Sequence, residues 1–140
     1  MTNSIFVSRD DTFKITVYYT KDDDFSVKKK DDLTQEEIDS GDYLSLTITF
    51  SLPDHATSKM IMRRSTNVVN GTPSFDQGTF NNLLFELLST SWDLKDENEK
   101  SVDFDGVKIN EMRPDIVRIF IDLLQEELDG RGLYIAVLQS

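Results

Sequence analysis

Apolar and polar positions alternate most regularly from Tyr43 to Leu52, where Leu44, Leu46, Ile48, Phe50 and Leu52 are interleaved with Ser45, Thr47, Thr49 and Ser51. A period of two is that of a strand. One apolar face against one hydroxyl face predicts a sheet covered on one side only, antiparallel or mixed. Ile5 to Val7 and Thr12 to Thr20 are rich in β-branched and aromatic residues and also predict strands. Lys21 to Asp32 changes charge sign twice with few apolar residues, as a solvated hairpin or loop does, with a short strand around Phe25 and Val27. Thr34 and Glu37 have capping-box spacing for one or two helical turns, and Gly41 supplies a left-handed stop. After Pro53, Asp54 is placed to cap a helix from His55 to about Arg64, although Met60-Ile61-Met62 also suits a strand. Asn70 to Gly78 is turn chemistry and divides a strand-rich half, 1–69, from a helical half, 79–129.

From Phe80 the period changes. At about 100° per residue, Phe80, Leu83, Leu84, Phe85, Leu87, Leu88 and Trp92 share an arc of roughly 200°. A second helix is expected from Pro114, whose fixed φ suits the first helical position. Its apolar arc, Ile116 to Leu128, is equally wide, and Gly130-Arg131-Gly132 ends it. The tail LYIAVLQS reads as an edge strand or an extended docked segment. The expected architecture is therefore a single α+β domain over 1–140: an N-terminal antiparallel or mixed sheet followed by a C-terminal pair of amphipathic helices. A helix lying on one side of a sheet needs a stripe of only about 100°, so each of these helices should meet two surfaces. The second surface is either the rest of the core or a partner.

Composition narrows the functions. Among 140 residues, fifteen basic side chains face twenty-six acidic ones, a net charge of −11. That balance disfavours nucleic acid and anionic membranes and favours a basic partner. The chain holds no cysteine, which removes disulfides and thiolate chemistry, and the start MTNSIFVSRDD has no signal-peptide pattern, so the expectation is a cytosolic protein. Asn70-Gly71-Thr72 fits the glycosylation pattern but reads as an exposed turn.

Candidate chemistry is sparse. His55 is the sole imidazole, at a helix start where capping or exposure is the ordinary role. The acidic run SWDLKDENEKSVDFDG fails as a calcium loop: counted from Asp96, Lys100, Ser101 and Val107 stand where a ligand, a glycine and a bidentate glutamate belong. Asp103 with Asp105 leaves a looser carboxylate site open beside the reading of a solvated turn. Asp122 and Glu126 lie four apart on one helix face, and Glu127 points into the apolar arc, where the helix frays or the carboxylate meets a basic group on another element or partner. No cofactor, metal or catalytic set is called for.

MIMRRST, then FNNLLFELLSTSWDLKDENEKSV, then INEMRPDIVRIFIDLLQEEL follow one another along the chain, and in that order residues 60 to 128 resemble the tail assembly chaperones and related small tail proteins of tailed bacteriophages. The shared order is MIMRRST, a turn, a leucine-rich helix ending in a tryptophan, an acidic turn, a proline and an apolar helix. Trp92, Asp93, Leu94, Asp96, Glu97 and Lys100 match the turn; Pro114, Ile116, Val117 and Leu124 match the later helix. Glu99 departs from the glycine usual before the lysine, so a tight left-handed turn is not assured. The resemblance implies a non-catalytic protein of the host bacterial cytoplasm that binds the tape-measure protein during tail assembly; the sequence does not decide the oligomeric state and leaves a homo-oligomer open. The alternative is a structural protein of the virion's tail, baseplate or connector. Leu84, Leu88, Trp92, Ile116, Phe120 and Leu124 are the positions expected to pack or to bind the partner.

Overall fold

The computed structural model describes residues 6–8, 10–20, 25–106 and 108–131. Four strands, β1 (Thr12–Thr20), β2 (Val27–Lys29), β3 (Tyr43–Ser51) and β6 (Ser89–Trp92), form one antiparallel sheet in the order β2-β1-β3-β6. The β1–β3 register puts Phe13 opposite Phe50, Ile15 opposite Ile48 and Val17 opposite Leu46, so the period of two in both strands converges on one face. The other face is hydroxylic: Thr16 Oγ1 lies 2.7 Å from Thr47 Oγ1 across the strands.

Helices are threaded between the strands. α1 (Gln35–Asp39) carries the capping box, with Thr34 Oγ1 accepting from Glu37 N–H and the Glu37 carboxylate accepting from Thr34 N–H. Gly41 at φ +82° supplies the turn after it. α2 (His55–Arg64) starts where Asp54 accepts from Thr57 N–H at 2.8 Å, and the run Met60-Ile61-Met62 is helical. α3 (Gln77–Leu88), capped by Asp76, and α4 (Pro114–Gly130), with its proline at the first turn, cover the apolar face of the sheet. Phe50 of the sheet meets Phe85 of α3 at 6.0 Å and Phe120 of α4 at 6.4 Å, and those two rings are 6.0 Å apart. Apolar residues from both halves of the chain join in this one cluster.

Three expectations are corrected. The C-terminal region is not a pair of long helices. α3 stops at Leu88 and the chain returns to the sheet as β6, leaving α4 as the one long helix there. Trp92 is thus on a strand opposite Ile48 and does not extend the α3 face. β6 therefore interrupts the helices of the second half, as α2, expected at His55 to about Arg64, interrupts the strands of the first. Second, Asn70 to Gly78 is more than a turn: β4 (Thr66–Val69) and β5 (Thr72–Phe75) form a separate two-stranded hairpin closed by Asn70 and Gly71, both at positive φ as a type I′ turn requires. Third, Phe6 and Val7 belong to no strand and are exposed; Ile5 and the tail from Gly132 lie outside the described residues. Among the described residues no helix is long and apolar enough to cross a membrane.

Candidate functional site

The sequence-derived positions divide sharply by burial. Leu84, Leu88, Phe120 and Leu124 are all but inaccessible and Ile116 is 9% exposed, so these five side chains pack inside the fold. Most of the two wide arcs is consumed internally, since α3 meets α2, α4 and β6 while α4 meets α3, β1 and β2, and Leu87 of α3 stays exposed. Trp92 is half-buried. Its indole Nε1–H donates to the Val102 carbonyl at 2.8 Å and its ring takes Phe104 edge-on at 4.9 Å. The indole thereby pins the acidic joint to the body of the protein.

That joint is a tight hairpin. Asp96 Oδ1 accepts from the N–H groups of Asn98 and Lys100, Asp96 N–H donates to the Lys100 carbonyl, and Lys95 bridges to Ser101. Glu99 takes φ +62°, the left-handed conformation that its glycine-less sequence left in doubt, held by its N–H on the Asp96 carbonyl at 3.0 Å. The carboxylate of Asp96 is thus used by the turn. Among the described residues no group of three or more His, Asp or Glu side chains is arranged to hold a metal ion.

The remaining candidates separate. His55 is exposed at the first position of α2. Asp122 and Glu126 point to different surroundings: Asp122 faces the groove between α3 and α4, whereas Glu126 meets Lys29 of β2 at 3.8 Å. Glu127 finds its cation at the C-cap of its own helix, in Arg131 at 3.9 Å, and the Arg131 guanidinium also lies 5.0 Å from the Phe13 ring.

A polar cluster not anticipated from the sequence closes the β2 end of the sheet. The Arg113 guanidinium lies 3.8 Å over the Phe25 ring, and the Phe25 and Tyr19 rings are 5.8 Å apart. Arg113 also pairs with Asp115 at 3.4 Å, and that hydrogen bond holds the Asp115 carboxyl below its ordinary range. Burial, seconded by the Asp93 carboxylate, raises the Tyr19 phenol above 10.0.

A groove of about 500 Å³ lies between α3, α4 and the short 3-10 turn Lys108–Glu111. Phe85, Ile109 and Ile121 lie buried beneath it, and Met112, Pro114 and Val117 present its accessible apolar surface. Its rim is polar and carries both signs of charge, from Asn82 and Glu86 on α3 to Arg118 and Asp122 on α4. Asn81 Oδ1 accepts from Gln77 Nε2 at 2.7 Å and from Gln125 Nε2 at 2.9 Å, tying α3 to α4 at one end. An apolar floor with a mixed-charge rim suits a segment that offers one apolar side and polar flanks. The chain matches no protein-family model, and no curated protein or solved structure matches it.

Proposed function

We propose that this chain is a non-catalytic binding protein of the tail assembly chaperone kind, acting on the helical tape-measure protein in the host bacterial cytoplasm. The reading begins with the ordered resemblance over residues 60 to 128. The observation that carries it further is the α3–α4 groove, because a helix laid along it would place apolar side chains over Met112, Pro114 and Val117 and polar ones against Glu86 and Arg118. The six positions singled out in the sequence then serve binding indirectly. Leu84, Leu88, Ile116, Phe120 and Leu124 hold the two groove walls in place, and Trp92 holds the loop that leads to α4.

Co-purification from phage-producing cells tests this proposal. Tape-measure protein should accompany the wild-type chain and be lost with Glu86→Lys combined with Arg118→Glu, while circular dichroism stays unchanged; undiminished capture by that variant sinks the groove as the binding site. A virion component is the second reading, favoured by the exposed β4–β5 hairpin, which leaves strand edges open to a neighbour. Mass spectrometry of purified particles separates the two: a stoichiometric copy number supports the structural role, and absence from particles with tape-measure capture supports the chaperone.

A further inference from the structure

The charge of this molecule is divided between two regions. From His55 to Phe75 there are three basic residues, Lys59, Arg63 and Arg64, and no acidic ones, so this stretch carries +3 and the remainder of the chain −14. All three cations are exposed on α2, and Arg63 and Arg64 stand in its last turn at the foot of the hairpin. The hairpin itself, Thr66 to Phe75, holds no charge, and its tip shows Val68 at 69% and Val69 at 59% exposure. Its base is fixed: Phe75 packs on Phe80 at 5.3 Å, and Asp76 N–H donates to the Ser65 carbonyl at 2.7 Å. Here, then, is an anchored, uncharged, partly apolar arm with a cationic root on a strongly anionic protein.

The opposite kind of surface lies at the other end of α3. The arm runs into the first residue of that helix and β6 leaves its last, and twelve residues separate the two ends by about 18 Å at the rise of an α-helix. Among the described residues β6 is the end strand of the sheet; it is uncharged, with Thr90 and Ser91 exposed. The loop after it carries six acidic side chains and two lysines from Asp93 to Asp105. An uncharged strand beside an anionic loop complements an uncharged hairpin beside a cationic helix end.

We propose that the β4–β5 arm docks on the β6 end of a second copy of this chain. Donor and acceptor are different surfaces at opposite ends of α3, so the contact is head-to-tail and propagates to a ring or a filament instead of stopping at a two-fold dimer. Strand edge on strand edge supplies main-chain hydrogen bonds, and Arg63 and Arg64 against the acidic loop fix the direction.

Sedimentation velocity on the full chain tests this across a protein concentration series. Association should rise with concentration and weaken about tenfold on going from low to physiological salt, as screened charge pairs do. Val68→Asp with Val69→Asp should abolish it, as should, independently, Arg63→Gln with Arg64→Gln. An acceptor variant, Glu97→Lys with Asp103→Lys, should also be monomeric. The decisive mixture combines the valine double variant, whose acceptor is intact, with the acceptor variant, whose arm is intact: it should form one-to-one heterodimers and nothing larger. A wild-type chain that stays monomeric at every concentration and salt overturns the proposal. Arm-dependent association with no heterodimer in the mixture also overturns it, because the arms would then be pairing with each other.

Discussion

The sheet-and-helix body and the β4–β5 arm solve opposite problems with similar residues. In the body, Val17 is inaccessible, flanked by strands on both sides and covered by a helix layer, and Phe50, Phe85 and Phe120 meet at the centre. In the arm, two valines stand in water on a hairpin whose only packed ring is Phe75 at the root. The body is therefore over-determined by burial, while the arm's tip is specified by its turn and its strand propensity alone. A tip that contributes so little to the fold, yet keeps β-branched apolar residues and excludes every charge, is shaped for contact outside the fold.

The largest effect belongs to the body. Phe120→Ala removes the ring that joins the sheet to both helices and should destabilise the protein by about 3–5 kcal/mol, read from urea unfolding. A loss below about 1 kcal/mol would mean that the centre collapses freely and is not the fixed layer described. Next is Trp92→Phe. It keeps a ring against Phe104 but removes the donor to the Val102 carbonyl, at a cost of about 1 kcal/mol. Amide exchange should accelerate first between Asp93 and Val102; a change spread evenly over the sheet would show that the indole is a core residue and not a latch for the loop.

How much of this was legible in the sequence follows from how local each cause is. The β3 alternation, the Thr34–Glu37 box, the Asp54 cap and Pro114 at the start of α4 act within one strand or one helical turn, and each is visible in the chain as written. β6 was not legible. Ser89 to Trp92 becomes a strand because Ile48, Thr49 and Phe50, some forty residues earlier, offer it an edge, with a bulge between Thr49 and Phe50. The helical period also placed Trp92 by coincidence on the α3 arc. Asn70-Gly71 between TNVV and TPSF is a hairpin signal, but flanking strands with no buried face lack the alternation that would have named them. Periodicity also reports which side of a helix is apolar without reporting what covers it, which is why packing and binding positions were one set in the sequence, of which burial assigns Leu84, Leu88, Ile116, Phe120 and Leu124 to packing.

A smaller effect tests the two boundaries of the cationic stretch. Asp54 and Asp76 flank it and cap α2 and α3, each held below the ordinary 3.8 chiefly by the backbone hydrogen bond it accepts, from Thr57 and Thr79 respectively. A carboxyl with a lowered folded value stabilises the fold above the unfolded value and loses that contribution as pH falls through the folded one. Stability should hold from neutrality down to about pH 4 and decline below it. Asp54→Asn with Asp76→Asn, which keeps a capping oxygen without the charge, should flatten that acid limb. An unaltered limb would move the acid sensitivity to carboxylates elsewhere in the body.

One substitution made in both regions sets them side by side, and its arm half is the smallest effect of all. Val→Thr preserves the β-branched shape and strand preference and exchanges a methyl for a hydroxyl, so it isolates burial from propensity. At Val17 the hydroxyl enters a dry layer between Leu46 and the helices, and the loss should be about 1–3 kcal/mol. At Val68 and Val69 the same exchange takes place in water, and even the double variant should stay within about 0.5 kcal/mol of the parent. Both variants should unfold with an unchanged urea slope, since neither alters how much surface the folded state buries. If Val68→Thr with Val69→Thr costs as much as Val17→Thr in dilute monomer, the arm lies against the body in solution and its tip is not available to a neighbour. If the cost emerges only at high protein concentration, the missing stability was that of the contact between copies, because an association that favours the folded chain raises apparent stability by mass action.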